Sequence, residues 1–304
     1  MSEIEILEVG PRDGLQNEAK TLDVETRVEF IERLVESGAR RIEAVSFVHP
    51  DRVPQMAHAE AVLAALPQAD EVSYIGLILN LRGAERAVET GVHELNMVVP
   101  VTDGFAMRNQ GRTTEQLLNE SETAVRIARD AGRRSSVTLA VAFGCPFDGP
   151  VPLERVRDAT LRVLDMGADE IAFADTVGVG GAHRVRELTD LAAERFADEG
   201  LRFHFHNTRN TGYSNAIAAA TAAEAIGRPV ALDASVGGFG GCPFAPAATG
   251  NIATEDLLYS LTMDGADVRE RFDAEQLIEI AGWLSRQLEK PVDSLLPRAG
   301  WFPG

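Results

Sequence analysis

His204 and His206 lie one residue apart in LRFHFHNT, residues 201–208, where Leu201, Phe203 and Phe205 alternate with Arg202, His204 and His206. Such alternation predicts a strand, and side chains two apart on a strand share a face. Two imidazoles held side by side can chelate one metal ion. A bare His-x-His pair also fits two ordinary polar residues of a strand, so the other residues must decide. Asp13 follows the first predicted strand. It completes a carboxylate-plus-two-imidazole set which, with an Asn oxygen and waters, suits octahedral Mg²⁺ or Mn²⁺. Arg12 precedes it, Glu43 lies within the second predicted strand, Asp175 ends the sixth, and Cys242 and Asn251 follow the eighth. Alone, Arg12–Asp13 reads as a turn with an ion pair, and Glu43 as either a structural or a catalytic carboxylate. Cys242 sits in GGFGGCPF, where glycines give the backbone unusual freedom. A thiol there can serve as general acid or base, whereas a structural free cysteine is usually buried among apolar groups. Cys145, in GCPF after the fifth strand, faces the same way with less reason for a chemical role.

The elements that would carry these residues repeat. Strands are expected at 4–9, 42–47, 72–79, 94–99, 137–143, 170–175, 201–208 and 230–236. Helical periodicity follows each: 24–38, an alanine-rich run to 66, 83–90, 114–131, 153–166, a helix ending near 198, 213–226, and one starting at Thr254 as N-cap. A loop containing Asp103 and Asn109 precedes the fourth of these. Eight strand-then-helix units in about 265 residues predict a closed (β/α)8 TIM barrel, whose functional residues collect at the C-terminal ends of the strands. An open doubly wound sheet is the alternative, but no glycine-rich dinucleotide fingerprint follows the first strand. A final helix with Leu277, Ile280, Leu284 and Leu288 on one face is left over. The expected organisation is a catalytic barrel at 1–272 and a C-terminal helix and tail at 273–304 packed on it.

Composition narrows the partners. Lys and Arg total 29 against 47 Asp and Glu, a net charge of −18, which repels nucleic acid and anionic membranes. No apolar run is long enough for a membrane span or resembles a signal peptide. Two cysteines cannot build a disulfide framework, so a cytoplasmic location is expected.

Together these residues resemble the hydroxymethylglutaryl-CoA lyases, within a wider group of metal-dependent barrel lyases and Claisen-type synthases. The matching pieces are EVGPRDGLQNE from Glu8, SFVHP from Ser46, VPQM from Val53, GCPF from Gly144 and DTVGVG from Asp175. They continue with HFHNT from His204, then SVGGFGGCPF and GNIATEDL between Ser235 and Leu257. The resemblance spans nearly the whole chain and implies retro-Claisen cleavage of an acyl-CoA. Asp13, His204, His206 and Asn251 would bind Mg²⁺ or Mn²⁺. Arg12 would stabilise the thioester enolate, and Cys242 would protonate it. Glu43, Asp175 and Glu255 would orient groups or relay protons. Gln16, Lys20 and Asn80 would contact the CoA part of the substrate, and a homo-oligomer, dimer or tetramer, is implied. Four departures stand out: Asn207 for the common Asp, Arg209–Asn210–Thr211 for Tyr-Gly-Gln, Ala172 for Ser, and Ala19 for Lys. They leave open citramalyl-CoA or a longer 3-hydroxy-3-alkylglutaryl-CoA as substrate, and a barrel that only binds acyl-CoA or metal. Ala172 is expected on the inner wall near the metal ligands, where it would favour a bulkier or less polar 3-substituent.

Overall fold

Short segments dense in Val, Ile, Leu and Phe form the strands β1 (Ile4–Glu8), β2 (Arg41–Ser46), β3 (Ser73–Ile78), β4 (Glu94–Pro100), β5 (Arg134–Ala140), β6 (Glu170–Asp175), β7 (Gly200–Phe205) and β8 (Val230–Ala234). They pair in parallel in sequence order, and β1 closes the barrel against β8. The computed structural model describes residues 3–67, 69–241 and 250–302. The helices are α1 (Val24–Glu36), α2 (Ala59–Ala65), α3 (Leu81–Val88), α4 (Asp103–Gln110), α5 (Thr114–Asp130), α6 (Leu153–Met166), α7 (Ala182–Arg195), α8 (Gly212–Ala225), α9 (Thr254–Met263), α10 (Ala274–Leu288) and α11 (Leu296–Ala299). The expected TIM barrel is the fold observed.

Local chemistry starts several helices. Asp23 accepts from Thr26 N at the head of α1, Asn80 from Gly83 N at α3, and Asp273 from Gln276 N at α10. Thr113 and Gln116 form a reciprocal capping box on α5. Three expectations shift. The segment with Asp103 and Asn109 is helix α4 rather than loop. β5 ends at Ala140 because Val141 turns to φ 55°, outside the extended region. Thr254 is the first residue of α9 rather than its N-cap; its hydroxyl donates instead to Glu8 Oε2 at 2.6 Å.

Most apolar side chains pack between strands and helices, as Phe30, Ile31 and Leu34 of α1 do. Inside the barrel the filling is different. Arg41 of β2 donates to Glu94 of β4 and Glu170 of β6. These strands are not neighbours, so the three side chains meet in the lumen. Arg202 of β7 donates to Asp233 of β8 just above, and Leu7, Val9 and Ile75 form a small separate apolar cluster. Taking one partner from such a buried pair strands the other, at a cost of ~3–5 kcal/mol.

The end of the chain returns to the barrel mouth. α10 buries Leu277, Ile280, Ala281 and Leu284. Beyond it, Asp293 N donates to Gly237 O, and Leu295 N and Leu296 N donate to the carboxylate of Asp256.

Candidate active site

The chain leaves β1 through a single π-helical turn, Gly10–Gly14, in which Gly14 N donates to Val9 O. A side chain at Gly14 would meet Ser235 Oγ at 2.7 Å, so glycine lets this turn sit against the end of β8 without displacing that hydroxyl. The turn delivers Arg12 and Asp13 to the mouth. Arg12 Nε donates to Glu43 Oε2 at 2.5 Å and Nη1 donates to Asp13 Oδ1 at 2.5 Å. Burial opposes the charge on Arg12, but Glu43 and then Asp13 outweigh it, so the guanidinium stays cationic with its pKa above the ordinary value. Glu43 is completely buried and its other oxygen accepts from Asn96 Nδ2, whose own carbonyl accepts from Thr138.

Asp13 Oδ2 faces His204 Nε2 at 3.9 Å and His206 Nε2 at 4.0 Å. One ligand atom from each of the three lies within 4.8 Å of the others. Burial works against ionisation of Asp13, but Arg12 and the two histidines outweigh it and hold the carboxyl well below the usual range. Asn251 is brought alongside by an isolated antiparallel bridge between His206 and Asn251, and its Nδ2 donates to Asp13 Oδ2 at 2.8 Å.

Among the buried atoms here that lack a hydrogen-bond partner among the described residues are both ring nitrogens of His206 and Oδ1 of Asn251. Buried polar atoms are rarely left so. Burial, then the neighbouring His204, pushes the His206 pKa down to about 4, which keeps the imidazole neutral. A neutral imidazole and an amide oxygen without partners, beside an ionised carboxylate, are a donor set that fits a divalent cation. His204 differs: its Nδ1 lies 3.0 Å from Asp233 Oδ2, and although burial lowers its pKa, that bond and Asp13 leave it raised overall.

These groups line a cavity of about 140 Å³ together with Gln16, Asn96, Thr138, Ala174, Thr176 and Gly241. Of the expected site residues, Arg12, Asp13, His204 and His206 line it, Glu43 braces Arg12 and Asn251 bonds Asp13. Of the expected CoA contacts only Gln16 reaches the cavity wall. Lys20 is exposed and paired with Glu289, and Asn80 caps α3. Asp175 is not at the cavity: its two oxygens accept from Val179 N and Gly180 N, holding the loop after β6. Burial raises its pKa. Ala172 is fully buried but does not line the cavity, because the wall begins one inward position higher, at Ala174. Glu255 accepts from Gly237 N beneath the glycine turn, away from the metal ligands, and burial lifts its pKa to about 8. Cys145 is buried as an acceptor for Thr102 Oγ1 and for the amides of Phe147 and Asp148, which shape its own turn. Cys242 lies outside the described residues.

Sequence reasoning missed Asn96, Thr138 and Asp233. Arg202 was visible as part of the alternating set, without a role. Strand parity was the available signal for three of them: Thr138 is level with Ala172, Asp233 is level with His204, and Arg202 shares the face of His204.

The HMGL-like family model matches residues 3–283. The chain is 42% identical to an (R)-citramalyl-CoA lyase of Chloroflexus aurantiacus, covering 99% of this chain and 96% of the relative. It is 38% identical to a hydroxymethylglutaryl-CoA lyase of Pseudomonas mevalonii, over 95% and 93%. The solved structure of an HMG-CoA lyase from Acenitobacter baumannii, in complex with coenzyme A and 3-methylmalate, superposes with a TM-score of 0.90 at 34% identity, covering 98% of this chain and 95% of that one. A barrel whose mouth gathers these residues, matched end to end in sequence and backbone, belongs to the HMGL-like family and is a carbon–carbon lyase of that family.

Proposed function

We propose that the protein cleaves 3-hydroxy-3-methylglutaryl-CoA to acetyl-CoA and acetoacetate, with Mg²⁺ or Mn²⁺ bound by Asp13, His204, His206 and Asn251 Oδ1. The observation that carries this reading is the convergence of Asp13, His204 and His206 with a braced arginine on one cavity, Asn251 being bonded to Asp13 behind them. A divalent ion held there supplies Lewis acidity that lowers the pKa of the substrate's tertiary hydroxyl. Transfer of the hydroxyl proton to a base of the site breaks the bond between the carbinol carbon and the carbon next to the thioester, and that proton makes good the one later given to the enolate carbon, so none is gained or lost overall. Arg12 sits beside Asp13 with its charge fixed by Glu43, so it meets the thioester oxygen as that oxygen becomes an enolate. Cys242, from the glycine loop beyond Gly241, gives the enolate carbon its proton and releases acetyl-CoA. Asp175 keeps the loop after β6 in place, and Gln16, Lys20 and Asn80 contact the CoA moiety.

Citramalyl-CoA is the second reading, and the 42% identity to the Chloroflexus enzyme favours it. The two substrates differ by one methylene between the carbinol carbon and the free carboxylate, and their keto-acid products are acetoacetate and pyruvate. Incubating the Mn²⁺-loaded protein with each acyl-CoA and one longer 3-alkyl analogue, then assaying acetyl-CoA and the keto acid, decides between them. No acetyl-CoA from any of the three would refute the proposal.

We also read residues 1–272 as the catalytic barrel and 273–304 as its appendage. Among the described residues no helix is long and apolar enough to cross a membrane. That fits the proposed cytoplasmic location.

A further inference from the structure

A neutral imidazole has one lone pair to give a metal, and the hydrogen bond at its other nitrogen decides which atom presents it. The two histidines of the site are not equivalent in this respect. His204 Nδ1 lies 3.0 Å from Asp233 Oδ2, and its Nε2 faces Asp13. Asp233 is itself gripped: Arg202 donates from Nε to Oδ1 at 2.6 Å and from Nη2 to Oδ2 at 2.9 Å. His204 and Asp233 stand opposite each other in the β7–β8 register, and Arg202 precedes His204 by two residues on the same face. All three are buried, so solvent does not compete for these bonds. His206 has no carboxylate hydrogen-bonded to its ring among the described residues.

We infer that Asp233, clamped by Arg202, is a positioning residue that fixes the Nδ1–H tautomer of His204 and so turns the Nε2 lone pair toward Asp13 and the metal. A carboxylate that already accepts from an arginine is ionised and can only accept. The proton between the two side chains therefore belongs to the imidazole. Two adjacent strands then supply a ligand, its orientation and the charge that holds the orienting group. Partners of this kind behind metal-binding histidines typically change metal affinity ~10–100-fold when removed. The inference rests on the metal reading above.

The test uses the full chain and the double variant Arg202→Met/Asp233→Val, which replaces the buried pair with apolar groups; such exchanges are often neutral for folding. Nitrogen-15 NMR of the metal-free protein, at a pH high enough to keep imidazole neutral, reads which nitrogen of His204 carries the proton. Mn²⁺ titration reads affinity. The expected result is Nδ1–H in the parent, loss of that preference in the variant, and Mn²⁺ binding weakened ~10–100-fold with circular dichroism unchanged. A parent with Nε2–H, or a folded variant that binds Mn²⁺ within ~threefold of the parent, overturns the inference. If the double variant does not fold, Asp233→Asn carries the same two readouts. It keeps the shape, but it lacks the oxygen needed to serve both Arg202 and His204. A parent that binds no Mn²⁺ refutes the metal reading instead, and the tautomer in that same sample still decides this inference.

Discussion

Glu43 Oε2 lies 2.5 Å from Arg12 Nε, and Glu43 has no contact with solvent. An arginine held this way cannot rotate away from the mouth and needs no reorganisation to meet a developing oxyanion. Arg12→Gln is therefore expected to lower kcat by ~10²–10³-fold while Mn²⁺ affinity stays nearly unchanged. Steady-state kinetics beside a Mn²⁺ titration checks it. A variant near parental kcat would make Arg12 a structural residue only.

Metal removal should abolish turnover, and metal addition should stabilise the fold. With free Mn²⁺ at 100 times Kd, the gain is about 2.7 kcal/mol, read as a rise in Tm of several degrees. His206→Ala should lose most of that rise, because its Nε2 is among the unpartnered ligand atoms. Full activity in excess chelator, on protein shown metal-free by elemental analysis, contradicts this.

Glu255 should make stability fall with rising pH. Its folded pKa of about 8 lies above its unfolded value near 4.5, so between these values the native state keeps a proton that the unfolded chain releases. The contribution is intact below about pH 4.5 and declines by roughly 1.4 kcal/mol per pH unit until about pH 8. Glu255→Gln should match the parent at pH 4.5 and exceed it in Tm at pH 9. Parallel Tm profiles for the two proteins would show that Glu255 ionises normally.

Cys242→Ser should fold like the parent but turn over far more slowly. A thiol near pKa ~8.5 is a usable proton donor, and an alcohol is not. Chemical denaturation and kcat measured on the same preparation separate this from a buried structural role, which predicts lost stability at parental rate.

Ala172→Ser should leave the ratio of kcat/KM for methyl and longer 3-alkyl substrates unchanged, since Ala172 does not reach the cavity. Ala174→Val, on the wall itself, should lower the ratio for the longer substrate by ~10–200-fold. Competition assays with mixed substrates read both.

The fold was legible because each strand carries its own apolar run and most of the helices their own 3.6-residue pattern, both local signals, whereas α4 lacks one and reads as a loop. The metal ligands were legible because His204 and His206 share a strand and Asp13 sits at a strand end. Three features were not. The bend at Val141 that ends β5 early has no composition signal. The N-cap role of Asn80, whose side-chain carbonyl accepts from Gly83 N at the head of α3, was not read beside its expected contact with CoA. Asp233 stood unremarked because its partners, Arg202 and His204, are 31 and 29 residues away and meet it only through the β7–β8 register.

The lumen described above also constrains how this pocket can change over evolutionary time. Its floor is a run of interlocked charges, from Arg202 and Asp233 down to Glu170, Arg41 and Glu94. Shortening any one of them to admit a deeper substrate would strand its partner in the dark of the barrel. Alanine-sized steps at Ala140 and Ala174, and exchanges at Leu77 and Val98, disturb no such pair, and all four line the cavity. New substrates are thus reached by remodelling the rim, one uncharged side chain at a time, while the depth of the barrel stays fixed as an inherited boundary.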